Sequence, residues 1–106
     1  MDKYIIAVLL CLSFGILAAQ PVLSCYDIQY TMEIDGNSPY LDEEVRVQGI
    51  VTGTGFGGNN FFIADSGGGP WSGLYVYDRY CQPNLGDLVQ FSGTVSEYYN
   101  FTEISS

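Results

Sequence analysis

The stretch Glu44-Val45-Arg46-Val47-Gln48-Gly49-Ile50-Val51-Thr52 decides the fold. Val45, Val47, Gly49 and Val51 fall on one face, and Arg46, Gln48, Ile50 and Thr52 on the other. A period of two belongs to a half-buried strand. Gly49 in its middle predicts a sharp bend or bulge, as a closing barrel needs. The alternation returns from Leu88 to Val95, with Val89, Phe91, Gly93 and Val95 inward and Gln90, Ser92 and Thr94 outward. Between these stretches, Gly53 to Asn60 reads as a flexible Gly/Asn loop. Asn60 to Asp65 and Leu74 to Asp78 read as the second and third strands, joined through Ser66-Gly67-Gly68-Gly69-Pro70. Ser96 to Asn100 turns the chain, and Phe101-Thr102-Glu103-Ile104 begins a fifth strand. No segment carries a helical period. Five strands with glycine bends predict a small all-β barrel or sandwich.

Upstream, Lys3 and the apolar run from Tyr4 to Ala19 have the form of a secretory signal peptide, too short for the roughly 20 apolar residues that span a bilayer. This predicts a signal-peptide helix over residues 1–24 and a protein that is secreted or held at the cell surface. Cleavage is expected after Ala19 or after Ser24. The second cut would make Cys25 the first mature residue and Val22-Leu23-Ser24-Cys25 an imperfect lipoprotein box. Lipid on Cys25 would then bring the domain to a membrane. The competing uses are a disulfide with Cys81, a natural staple for a small exported domain, or two free thiols.

Residues 25–44 form a polar lead-in. Tyr26, Ile28 and Tyr30 alternate as in a short strand, and Asp35-Gly36-Asn37 is turn chemistry. The barrel domain occupies residues 45–106. Past residue 24 there are eleven acids against Arg46 and Arg79, a net charge of −9. Such acidity opposes tight binding to polyanions. With no His and two distant cysteines, neither a metal site nor a cofactor is implied. Asp65, Asp78 and Asp87 fall at strand ends or in loops, where metal-dependent hydrolases place carboxylates. No nucleophile or base accompanies them, and Asp65 and Asp87 are expected to make turn hydrogen bonds to backbone N–H groups. The chain is therefore not expected to be an enzyme.

The order of landmarks resembles a known family. Val45-x-Val47-x-Gly49-Ile50-Val51-Thr52 is followed by Phe61-Phe62-Ile63-Ala64-Asp65, then by Gly69-Pro70-Trp71-Ser72-Gly73-Leu74-Tyr75-Val76-Tyr77-Asp78. Gly86-Asp87-x-Val89, Ser92-Gly93-Thr94-Val95-Ser96-Glu97-Tyr98-Tyr99 and Thr102-Glu103-Ile104 complete it. This is similar to the OB-fold domain that stands beside the catalytic domain in secreted bacterial nucleases and related exported multidomain proteins. One departure is Asp42, where such domains often carry Gly. Asp tolerates the left-handed backbone this position demands. The resemblance implies a five-stranded Greek-key barrel. It implies a domain cut in its fifth strand from a longer protein with a downstream catalytic domain as partner.

Such barrels bind ligands on the outer face of strands 2 and 3. With Phe61, Ile63, Leu74 and Val76 inward, Phe62, Tyr75 and Tyr77 point outward, with Trp71 at the rim. The expected function is an accessory module that stacks single-stranded nucleic acid weakly on these rings, helped by Arg46 and Arg79. The alternative is a cell-surface module for a protein or glycan. Against both stands burial of the same rings under residues 26–30 or a neighbouring domain.

Overall fold

The computed structural model describes residues 20–78 and 81–106. Residues 1–19, on which most of the signal-peptide reading falls, and Arg79 lie outside the described residues. Seven elements follow one another: β1 (Val22–Leu23), α1 (Cys25–Gln29), β2 (Glu44–Phe56), β3 (Asn60–Ala64), β4 (Gly73–Tyr77), β5 (Leu88–Tyr98) and β6 (Phe101–Ser105).

Strands β2 to β6 close into a barrel in the order β2-β3-β4-β6-β5, with β5 returning to β2. β2 serves both neighbours. Its first half pairs antiparallel with β5, from Glu44↔Thr94 to Ile50↔Leu88, and its second half with β3, from Ile50↔Ala64 to Phe56↔Asn60. β4 and β6 are parallel, with Tyr75 opposite Glu103. Two register shifts in β2, at Val51/Gly53 and Thr54/Phe56, let it turn the corner. The extra residue at each bulge adds the twist that closure requires.

The period of two places the core. Val45, Val47, Val51, Phe61, Ile63, Leu74, Val76, Val89, Phe91, Val95 and Ile104 are all buried inside. Phe61 meets Phe91 edge-on at 6.1 Å. Each such large side chain contributes about 1.5–3 kcal/mol through burial. Two glycines admit close approach. A Cβ on Gly49 would sit 3.0 Å from Ile63 Cβ, and one on Gly93 only 2.5 Å from Ile104 Cγ2.

The lead-in departs from expectation. Tyr26–Tyr30 is not a strand, because Cys25–Gln29 forms a single helical turn. Ser24 is its N-cap: Asp27 N donates to Ser24 Oγ at 3.1 Å, and Ser24 N donates to Asp27 Oδ2 at 3.0 Å. Asp65, at the end of β3, accepts from Cys25 N at 2.8 Å and from Tyr26 N at 2.9 Å. A carboxylate held against the positive end of a helical turn is stabilising. Cys25 and Ile28 join the barrel core with no exposed surface.

Two readings of the N-terminal segment change accordingly. Residues 20–24 belong to the folded unit. Gln20 Nε2 donates to Glu44 O at 3.0 Å, and Val22 and Leu23 pair in parallel with Arg46 and Val47. Cleavage after Ser24 would remove β1 and the helix cap, whereas cleavage after Ala19 would leave both. The Cys25–Cys81 disulfide is not formed, and Cys25 is a free, buried thiol. Its position at the first turn of α1 turns the sulfur into the core, where burial and then the nearby Asp65 charge push its pKa far above the ordinary thiol range. Lipid on this sulfur would require it to leave the core.

Candidate binding face

The outer face of the barrel carries a continuous line of aromatic rings. Phe56, at the end of β2, meets Phe62 of β3 edge-on at 5.2 Å. Phe62 meets Tyr75 of β4 at 4.9 Å, and Tyr75 meets Phe101 of β6 at 5.6 Å. Successive planes are inclined by 84°, 60° and 53°. The line therefore crosses four strands as a set of mutually tilted rings, not as one flat platform. Phe62 and Tyr75 are half-buried, while Phe56 and Phe101 are 44% and 47% exposed. Pairs of this kind add about 0.5–1.5 kcal/mol beyond their burial.

Each ring has a local cause. Phe62 and Tyr75 are outward because their neighbours Phe61, Ile63, Leu74 and Val76 are inward, and they face each other across the β3–β4 ladder. Phe56 reaches the face because β2 runs past Gly53 and Gly55, the latter at φ +83°, before turning at Gly57–Asn59. Phe101 is delivered by a two-residue hairpin turn, Tyr99-Asn100, with φ of +52° and +64°. Two positive φ values are the signature of a turn whose twist matches the flanking strands. Tyr98 lies directly opposite Phe101 in the β5–β6 pair, and its ring meets that of Tyr99 at 4.6 Å. The loops 57–59 and 99–100 thus stand at the two ends of the line.

One carboxylate belongs to this face. Glu103 sits beside Tyr75 in the β4–β6 pair and opposite Ser96 of β5. Partial burial raises its pKa, offset in part by a hydrogen bond with the Ser96 side chain. Arg46, the one Lys or Arg among the described residues, is near the start of β2, away from Phe56. Its guanidinium donates to Gln90 Oε1 at 3.0 and 3.2 Å, and Gln90 in turn donates to Gln48 Oε1 at 3.0 Å.

Of the residues singled out in the sequence, Phe62 and Tyr75 are brought together. Tyr77 shares their face and is 40% exposed, lining a shallow groove of about 260 Å³ with Gly57, Gly58, Asn59, Asn60 and Asp78. Trp71 is not at the rim of this line. At φ +67° it turns its edge toward Tyr30 of the lead-in at 5.7 Å, and Tyr30 stacks on Tyr26 at 5.3 Å. Arg46 stands apart from the rings, and Arg79 lies outside the described residues. Phe56 and Phe101 are additions. Phe56 was hidden inside a Gly-rich stretch read as loop. Phe101 opens the last strand, and only the parallel β4–β6 pairing brings it to Tyr75.

The acids do not converge. Asp65 holds α1. Asp78 Oδ1 accepts from Cys81 N at 3.0 Å, and its Oδ2 accepts from Ser106 Oγ at 2.7 Å. Asp87 Oδ2 accepts from Asn84 N at 3.0 Å. Among the described residues no group of three or more His, Cys, Asp or Glu is placed to hold a metal ion. Comparison with protein-family models, with curated proteins and with solved structures gave no match to this chain.

Proposed function

We propose that this chain is a non-catalytic OB-fold interaction module of an exported protein, with the line Phe56–Phe62–Tyr75–Phe101 as its contact surface. The observation that carries the reading is the line itself: four rings in successive contact on four strands, exposed at both ends and bounded by two loops. The closed barrel order, with β4 parallel to β6, supports the OB reading. Such barrels use the face between these two loops for oligonucleotides and oligosaccharides. The carboxylates at strand ends are engaged in holding backbone, which supports a binding role over a hydrolytic one.

A protein or glycan occupant is favoured over nucleic acid. Affinity for single strands rests on cations along the groove as well as on stacking. Among the described residues the face carries Glu103 and no cation, and Arg46 is hydrogen-bonded to Gln90 elsewhere. Weak single-strand binding, as an accessory to a downstream nuclease, is the second reading. The succession of rings favours it, since base stacking on aromatic side chains contributes about 1–3 kcal/mol per base.

Ring resonances of Phe62 and Tyr75 in a heteronuclear NMR titration test the reading. Neutral oligosaccharides, basic peptides and oligothymidine are added in turn at low salt. One of these is expected to move the Phe62, Tyr75 and Phe101 signals together, and Tyr75→Ala to abolish the response. A response to oligothymidine alone would make the second reading the correct one. Ring signals unmoved by all three would remove the face as a binding surface.

A further inference from the structure

We infer that the aromatic face receives Lys or Arg side chains from a basic segment of a partner protein. The inference rests on the reading of that face as a contact surface and narrows what it contacts.

Three observations point to a cation. First, the rings are inclined to one another by 53° to 84°. A single flat ligand can stack on only one ring of such a set, whereas mutually tilted rings offer several faces and edges to a compact group. The negative face of an aromatic ring attracts an ammonium or guanidinium, and ligand cations are held by rings set at angles around them. Second, Glu103 stands beside Tyr75 on the same face. Tyr75 and Tyr77 of β4 and Ser96 of β5 share the face with it, and the single described cation, Arg46, is hydrogen-bonded to Gln90 on another part of the barrel. The carboxylate thus has an outward side with no positive partner among the described residues. Its partial desolvation is the state that an incoming cation relieves. Third, the charge of the whole chain is −9. That field draws basic polypeptides in and raises their association rate.

A polypeptide fits better than a free small amine. The line of rings crosses four strands, so a single small cation would cover one ring pair and leave the rest in water. A segment with basic residues spaced along it would place one side chain near Glu103 and Tyr75, with its aliphatic stems on Phe56, Phe62 or Phe101. Long basic side chains cover apolar surface in this way while keeping their charge solvated.

The test uses the intact protein with acetylated hexalysine as probe, hexaglutamate as its opposite, and NMR titration at two salt concentrations. Hexalysine is expected to shift the Phe62, Tyr75 and Phe101 ring signals, to bind more weakly at high salt, and to outcompete hexaglutamate and oligothymidine. Glu103→Gln is expected to weaken it by about two- to fivefold, and Tyr75→Leu by a similar factor, with Tyr75→Phe unchanged. Glu33→Gln removes the same charge from the lead-in and is expected to have little effect. Equal losses in the Glu103 and Glu33 variants would mean that hexalysine senses only the overall field, and the inference would fall. It would fall equally if hexalysine moved signals away from the rings. Should hexalysine leave the rings unmoved while an oligosaccharide or oligothymidine shifts them, the contact surface stands and only its cationic occupant is lost. If no probe moves them, both are lost.

Discussion

Substituting Gly93 by Ala tests how tightly the barrel closes behind the aromatic face. The added methyl would lie 2.5 Å from Ile104 Cγ2, 2.8 Å from the Ser105 carbonyl oxygen and 3.3 Å from its carbon. The first atom belongs to a fully buried side chain and the others to backbone of the paired strand β6. None can rotate away, so β5 and β6 must separate. Overpacking of this kind costs about 1–3 kcal/mol, and a backbone clash belongs at the upper end. Replacing Gly by Ala returns about 0.5–1 kcal/mol of backbone entropy. The net loss is about 2 kcal/mol, a substantial part of the roughly 5–10 kcal/mol that holds a domain of this size together. At 4–8 °C per kcal/mol, the melting midpoint should fall by about 8–16 °C. Gly49→Ala supplies the comparison. Its nearest contacts are Ile63 Cβ at 3.0 Å, Ile63 Cδ1 at 3.1 Å and Ala64 O at 3.3 Å. Small shifts of Ile63 relieve part of that clash, so the net loss is about 1 kcal/mol or less. Thermal and urea unfolding followed by far-UV circular dichroism would read both. A Gly93→Ala midpoint equal to that of the wild type, or a smaller loss than for Gly49→Ala, would refute the close approach of β5 and β6.

Asp65→Ala removes the acceptor of two α1 N–H groups and should cost about 2–3 kcal/mol in urea unfolding, since hydrogen bonds to charged groups count for more than neutral ones; amide exchange at Cys25 and Tyr26 should rise first, and unchanged exchange would contradict the cap. Ser24→Ala breaks the reciprocal cap with Asp27 and should cost about 1 kcal/mol; a neutral result in the same assay would place the stability of α1 elsewhere. Glu103 has a folded pKa above the ordinary glutamate range. The folded protein therefore binds its proton at higher pH than the unfolded chain, so stability falls as pH rises from the ordinary glutamate pKa through the raised one. Urea midpoints measured across that acidic window should decline slightly for the wild type and stay flatter for Glu103→Gln, and parallel curves would exclude the shift.

Much of this architecture is local in origin. Ser92, outward by alternation in β5, is buried, but elsewhere in β3, β4 and β5, and in β2 as far as its bulge after Val51, inward and outward residues follow from alternation, because a strand side chain has only two directions to take. That fixes Phe62 and Tyr75 as outward and Phe61, Val76 and Phe91 as core before any pairing is known. Asp42 was read as tolerating a left-handed turn and adopts φ +69°. Turn hydrogen bonding by Asp87 was legible in the same way, whereas Asp65 reaches beyond its turn to α1.

Contacts between residues far apart in the chain were not legible. The α1 turn left one trace in the sequence, the Ser24-x-x-Asp27 spacing of a capping box. Its other support, Asp65, stands 40 residues away. Pairing of Trp71 with Tyr30, not with Tyr75, depends on how the lead-in folds back. Cys25 points into the core because α1 docks there, and no spacing of cysteines announces that.

Alternation along each strand thus set most inward and outward side chains and an all-β barrel or sandwich. Only the closed barrel decided which outward rings become neighbours. Strand faces are set by bonds within a few residues, whereas the Phe56–Phe62–Tyr75–Phe101 line and the place of Glu103 beside it exist only once β4 and β6 lie parallel and β2 has turned its corner.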